Sequence, residues 1–408
     1  MHIKIKKDTL KVALLMLPYF TFAVGFKWPL LGLFVQGLRI LNLVIILLGI
    51  IRRPSALNKV LKSGYIFPMV LLFGTILLST ILNGKDAVNG LQLIICGIVP
   101  LLIYMLFIEK KEGSRCILEG TTLVFSILIM FNIIIMLFYR EGIYSTYSSG
   151  VETKYFLFGA KNQMVAPIMT GMFFFVEYSY RTYNRIVKMP LILCVICAVE
   201  LLIGGSGTGL LILGLFCVII IMLQHRKRSV SSNTTIVVVI VATIGIVVFR
   251  LQDIFSFIIE GILHKSLTLS NRTYIWDAAF STLREHWLIG TGVTDSLSGS
   301  VFLELSYISK DTFAHNMFLD FMIMGGVISL VAFLWIIWRT KLIYDNSSVV
   351  SLRGKTFIWW GIVLYMLASI AEIYSGNYCL FIMFAYISAL TEKDNNMNKL
   401  HNKIPQTG

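Results

Sequence analysis

Charge is the scarcest ingredient of this sequence. Only 14% of its 408 residues are Asp, Glu, Lys or Arg, against 57% that are hydrophobic, and the mean hydropathy is +0.81. A soluble domain carries about 25% charged residues, and no water-soluble fold of this length could hide so much apolar surface. Acidic residues are the scarcer sign, 21 against 35 Lys and Arg, for a formal net charge of +14. Such an excess first suggests a polyanionic partner. The basic residues, however, sit in short clusters between apolar runs. That is the pattern of loops on one side of a membrane, and it leaves no basic face long enough to track phosphates. Nucleic acid is therefore excluded as a partner.

Cysteine is sparse as well. Cys96, Cys194, Cys197, Cys217 and Cys379 lie inside apolar runs, and Cys116 lies beside a basic loop. The longest hydrophilic stretch has none, which excludes a disulfide framework there. Cys194 and Cys197 form a C-x-x-C, but within an apolar run they read as two small buried residues. No His, Asp or Glu cluster stands at metal-ligand spacing, and no glycine-rich loop of nucleotide type appears. Nothing in the sequence predicts a metal or a cofactor.

What the sequence has is apolar runs. An all-α, polytopic membrane bundle of about twelve spans is expected, at 11–26, 28–51, 64–83, 88–108, 117–139, 163–180, 189–204, 207–224, 234–250, 316–338, 356–373 and 375–390, the last pair open to a re-entrant reading. The first span is followed by no small-residue cleavage site and reads as retained. Lys and Arg crowd the start, alternate loops and the tail, which predicts both termini on the cytoplasmic side. The organisation expected is nine helices over 1–250, a long outside loop over 251–315, three helices over 316–390 and a cytoplasmic tail over 391–408. A shorter outside loop covers about 140–162.

The long loop carries the chemistry-bearing residues. Within 273–286, Trp276, Phe280, Leu283 and then Trp287 recur at helical spacing, with Asp277, Ser281 and Arg284 on another face. This predicts an amphipathic helix on the membrane surface or over the bundle mouth, capped by Ser270 or Asn271. Arg272 stands four residues before Trp276. Gly290-Thr291-Gly292 follows, then His315-Asn316 at the start of the next span, and Gly325-Gly326 inside it. Gly290 and Gly292 read as permitting a tight turn.

This order of an Arg before a Trp, a Gly-x-Gly and a His-Asn resembles the O-antigen ligase and Wzy-type polysaccharide polymerase family of membrane glycosyltransferases. The resemblance covers about 271–326 by motif and the rest by topology. Phe158-Gly159-Ala160-Lys161-Asn162 stands where the family often has Gly-x-x-Asn, and Glu372 where many members carry an acid. Two positions depart: Trp287 replaces a usual Pro before the Gly-x-Gly, and Ser206-Gly207-Thr208 replaces a usual Ser-Arg.

The resemblance implies a GT-C-like enzyme at the plasma membrane, its active site extracytoplasmic. It would move a glycan from a polyprenyl pyrophosphate onto a sugar hydroxyl, without metal or other cofactor. The bilayer, a lipid-linked oligosaccharide, a chain-length regulator and a flippase are the partners it implies. The chemistry suits the residues. A pyrophosphate leaving group needs fixed cations as the anomeric bond breaks, and the planar guanidinium takes phosphate oxygens two at a time. The attacking hydroxyl needs a base, and imidazole changes charge near neutral pH. His315 and Arg272 are the expected catalytic pair. Arg284, Asn316, Asn162, Lys161 and Glu372 are expected to contact donor or acceptor. Charges inside spans are costly, and Arg39, mid-span, is a further candidate that would replace the missing family Arg. Glu200 and Glu177 also lie in spans. His264 and His286 have no supporting pattern. A ligase attaching finished glycan to a lipid, wall or protein acceptor stays open, as does a lipid-oligosaccharide flippase or transporter, although no repeat relates the two halves.

Overall fold

The computed structural model describes residues 6–20, 27–108, 110, 112–148, 151–225, 231–250, 272–293, 303–305, 309–311, 313–346, 357–372, 374 and 378–390. Ser270, Asn271, His264 and the tail from 391 lie outside the described residues. The chain forms α1 (Lys7–Met16), a 3-10 turn (Leu17–Tyr19), α2 (Pro29–Ile51), α3 (Pro54–Lys62), α4 (Ile66–Leu82), α5 (Ala87–Ile108) and α6 (Gly113–Phe138). A small antiparallel sheet follows, β1 (Tyr144–Ser148), β2 (Val151–Phe156) and β3 (Gly159–Ala160). Then come α7 (Val165–Tyr183), α8 (Lys188–Gly204), α9 (Gly207–His225), α10 (Ser232–Val247) and α11 (Arg272–His286). A hairpin of β4 (Leu303–Leu305) and β5 (Ser309–Asp311) precedes α12 (Met317–Asn346), α13 (Ile358–Ala368) and α14 (Cys379–Ala389).

The protein is a helical, multi-pass membrane protein. Among the described residues, four helices are long and apolar enough to cross a bilayer unaided, over Leu30–Ile51, Gly90–Ile108, Gly113–Phe138 and Met317–Asp345. Several others are shorter than twelve equal spans would require. The first expected span is cut at Met16, where Pro18 lacks the N–H that would continue the helix. The last pair departs furthest. α13 and α14 have 11 residues each, or about 16 Å at 1.5 Å per residue. A bilayer core is about 30 Å thick. Nearly all of their side chains are buried, so they form the middle of the bundle and not its lipid-facing wall. Phe174 of α7, Phe125 of α6 and Tyr386 of α14 interlock there at ring separations of 5.4 to 5.6 Å.

α4 lies along α12, with the Phe67 and Trp335 rings 5.4 Å apart and the Tyr65 hydroxyl donating to Thr340 Oγ1 at 2.7 Å. The end of the bundle where α4 finishes and α12 begins is termed the mouth. α11 folds over it. Its buried stripe is Thr273, Trp276, Ala279 and Leu283, against Val247, Ala314, Leu319, Ile323 and Ile370. Phe280 and Trp287, expected on that stripe, are exposed instead. Four residues per step overshoot a 3.6-residue turn, so the apolar face drifts from Phe280 to Ala279.

Candidate active site at the mouth of the bundle

Glycine builds the frame of the mouth. α12 is broken inside by Gly325 and Gly326, the latter at φ 68° and ψ −167°. The break frees the carbonyls of Ile323 and Met324. They accept the N–H groups of Thr291 at 2.6 Å and Gly292 at 3.1 Å, while Val327 N–H donates to Trp287 O at 2.8 Å. Irregular backbone at this depth is tolerated only where protein satisfies it. A Cβ on Gly326 would collide with Leu288 O, and one on Gly290, at φ 79°, with Ile323 O. The Gly-x-Gly and Gly-Gly motifs are therefore mating surfaces of one joint, beyond the turn expected of Gly290 and Gly292. Val293 N–H donates to Thr80 Oγ1 at 3.0 Å, which ties the joint to α4.

Next to the joint, α12 begins at a tightly held corner. Asn316 is buried, its Oδ1 accepting the N–H groups of Phe318 and Leu319 at 3.0 Å each and its amide donating to Ile370 O at 2.9 Å. That is helix N-cap geometry, and it commits the Asn316 side chain to backbone; direct sugar contact was expected of it. Ala314 N–H donates to Asp320 Oδ1 at 2.7 Å, and Ala314 O accepts the Trp276 indole at 3.0 Å. His315 stands between these anchors at φ 50°, a left-handed backbone that a residue with a Cβ rarely adopts. Strain of this kind persists only where neighbours over-determine it, and it gathers at functional positions.

Arg272 opens α11 one turn before Trp276. Its Nη2 lies 3.0 Å from Glu372 Oε1, with the two side chains 15% and 5% exposed. Glu372 Oε1 also accepts Thr208 Oγ1 at 2.7 Å. Asn162 Oδ1 accepts Ser206 Oγ at 2.8 Å, and Asn162 O accepts the Tyr374 hydroxyl at 2.9 Å. Arg272, Thr208, Glu372, Tyr374, Asn162 and Ser206 thus come from four separate loops to one polar cluster. Met317 N–H donates to Ser369 O at 3.0 Å, joining the His315 corner to the segment that carries Glu372.

Other expected residues lie elsewhere. Lys161 is exposed beside Asn162. Arg284 is exposed on the outer face of α11. Arg39 donates from Nε to Pro18 O at 2.7 Å and from Nη2 to Phe20 O at 3.4 Å, with its guanidinium 5.5 Å from the Tyr378 ring. It closes the carbonyls left open where α1 ends, which is a helix-end task. Glu200 accepts the Asn132 amide at 3.0 Å, a polar pair between α8 and α6. Glu177 pairs with Arg181.

Sequence reasoning missed Arg250, Asp320, Tyr374 and Lys85. Arg250 ends the run of α10 at φ 52° and pairs with Asp277. Lys85 follows α4, its N–H donating to Thr80 O at 2.9 Å, and burial lowers its ammonium below the ordinary lysine pKa. Asp320 had a local signal, four residues after an N-capping Asn; Tyr374 had none. Among the described residues, no three His, Cys, Asp or Glu side chains gather as metal ligands.

Residues 192–334 match the family model described as O-Antigen ligase. Over that segment the chain is similar to the O-antigen ligase family. No curated protein matches it. The matched segment carries Ser206, Thr208, Arg272, the Gly-x-Gly, His315 and the break in α12. Asn162, Glu372 and Tyr374 lie outside it and reach the same cluster through the fold. Members of this family are membrane ligases and polymerases of the glycosyltransferase kind.

Proposed function

We propose that the protein polymerises a lipid-linked surface polysaccharide, transferring a growing glycan from polyprenyl pyrophosphate to a hydroxyl of the next lipid-linked unit. The mouth is then extracytoplasmic. The observation that carries the reading is Arg272, held by Glu372 at the head of a helix that also anchors the His315 corner. Arg272 receives the donor pyrophosphate. The acceptor oxygen attacks the anomeric carbon, and the bond from that carbon to the phosphate oxygen breaks. The pyrophosphate leaves on its polyprenyl carrier with the bonding electrons, and the hydroxyl proton passes to the His315 imidazole. Cations placed where charge develops lower the barrier most when little water competes. Thr208 and Glu372 keep the guanidinium from wandering, and Asn162 lines the same cluster beside them.

The test is the enzyme in nanodiscs with lipid-linked oligosaccharide, reading glycan length on a gel and release of polyprenyl pyrophosphate. Arg272→Ala and His315→Ala should each lose about a hundredfold or more in turnover. Near-normal turnover in both variants removes the catalytic assignment. The description of the matched family favours a second reading, a ligase. A product on a different acceptor, with no lengthened lipid-linked glycan, would select it.

A further inference from the structure

α11 has a second cationic face. Asp277, Ser281 and Arg284 lie opposite the buried stripe and line a cleft of about 500 Å³ with Val248, Phe280 and Arg250. That volume falls within the about 300–1,000 Å³ typical of ligand pockets. Arg250 is in left-handed backbone, and its guanidinium pairs with Asp277 at the cleft wall. Arg284 makes no ion pair among the described residues. Val248 and Phe280 are exposed beside these cations, and Tyr274 on α11 and Trp287 just past its end are exposed as well. Exposed aromatic rings beside cations suit a phosphate presented at the edge of a bilayer with a hydrocarbon chain below it.

We propose that this cleft receives the pyrophosphate of the acceptor lipid, so that α11 separates a donor face at Arg272 from an acceptor face at Arg250 and Arg284. The proposal rests on the polymerase reading, in which both substrates are lipid-linked. One anion cannot serve both faces, because the body of the helix, about 10 Å across with its side chains, lies between them. A polymerase must hold two pyrophosphates at once, and two separated cationic faces do so without bringing like charges together.

The experiment titrates acceptor and donor separately in phosphatidylcholine nanodiscs. Arg284→Ala should raise the acceptor KM about tenfold, with the loss recovered at saturating acceptor, and Arg284→Lys should restore part of it. Inorganic pyrophosphate should compete against acceptor in the wild type and less so in Arg284→Ala. An unchanged acceptor KM, or a donor KM that rises in step with it, overturns the proposal. Discs containing phosphatidylglycerol separate the two sources of phosphate. If Arg284→Ala weakens binding of that lipid but leaves the acceptor KM unchanged, the cleft belongs to bulk anionic lipid and the acceptor assignment falls. Arg272→Ala in the same assay keeps the two readings apart. Retained turnover there defeats the donor site, whereas failure confined to Arg284 defeats only the acceptor site.

Discussion

Two buried carboxylates meet an arginine at opposite ends of the α13–α14 hairpin, and they are held differently. Glu177 accepts Arg181 Nε at 2.6 Å, the Phe357 N–H at 2.8 Å and the Tyr386 hydroxyl at 3.1 Å. Both oxygens are used, and Arg181 is one turn away on the same helix. Glu372 takes Arg272 and Thr208 on a single oxygen, and Arg272 arrives from another part of the chain. The first arrangement is a lock between three helices. The second positions a guanidinium whose remaining donors can meet a ligand. A buried ion pair alone is weak evidence of either role; where the arginine comes from is what separates them.

The largest effect should come from the lock. Glu177→Ala removes the acceptor of Arg181 Nε and of the Phe357 N–H, and removing one partner of a buried pair costs about 3–5 kcal/mol. Thermal unfolding in detergent should show a large drop in midpoint, with turnover per folded molecule kept. Arg272→Lys, which keeps a cation beside Glu372 but loses the planar fork, should behave the opposite way, losing turnover for a smaller shift in midpoint. If the two variants lose stability and turnover in the same proportions, the distinction between lock and positioned cation collapses.

How much of this was legible in the sequence follows from distance along the chain. Arg272, Gly290, Gly292 and His315 lie in order on one loop, so their succession could be read. Asn162, Thr208, Glu372 and Tyr374 meet from loops far apart, and no periodicity encodes such a meeting. The position of Thr208 on Glu372 could not be inferred from Ser206-Gly207-Thr208, which reads only as a missing arginine. Apolar runs showed that the chain is a helical membrane protein. They could not show that α13 and α14 are short and wholly buried, because a lipid-facing run and a buried run have the same composition. The sheet at Tyr144–Ala160 did have a signal, strands rich in Tyr, Thr and Val, overlooked within a loop.

The joint between the glycine motifs allows a comparison of middle size. Gly326→Ala forces a left-handed position and a collision with Leu288, costing about 1–3 kcal/mol. Gly37→Ala in α2, where a Cβ meets nothing within 4 Å, should be neutral or stabilise by up to about 1 kcal/mol. Unfolding midpoints measured side by side decide it. Equal behaviour would mean that the joint yields more easily than its close contacts imply.

The smallest and most discriminating test is Thr208→Val. Valine keeps the shape of threonine and removes only the hydroxyl that donates to Glu372. A hydrogen bond to a charged partner contributes about 1.5–3 kcal/mol, a neutral one nearer 1 kcal/mol. Arg272 stays to satisfy the carboxylate, so the lower figure applies, and turnover should fall roughly fivefold. Thr208→Ser retains the donor and should recover most of that loss. The direction matters more than the size. If Glu372 orients Arg272 for the donor, releasing Thr208 should lower turnover with little change in the unfolding midpoint. A lower midpoint at unchanged turnover would make Glu372 a second lock like Glu177, and the contrast between the two ends of the hairpin would then rest on Arg272 alone.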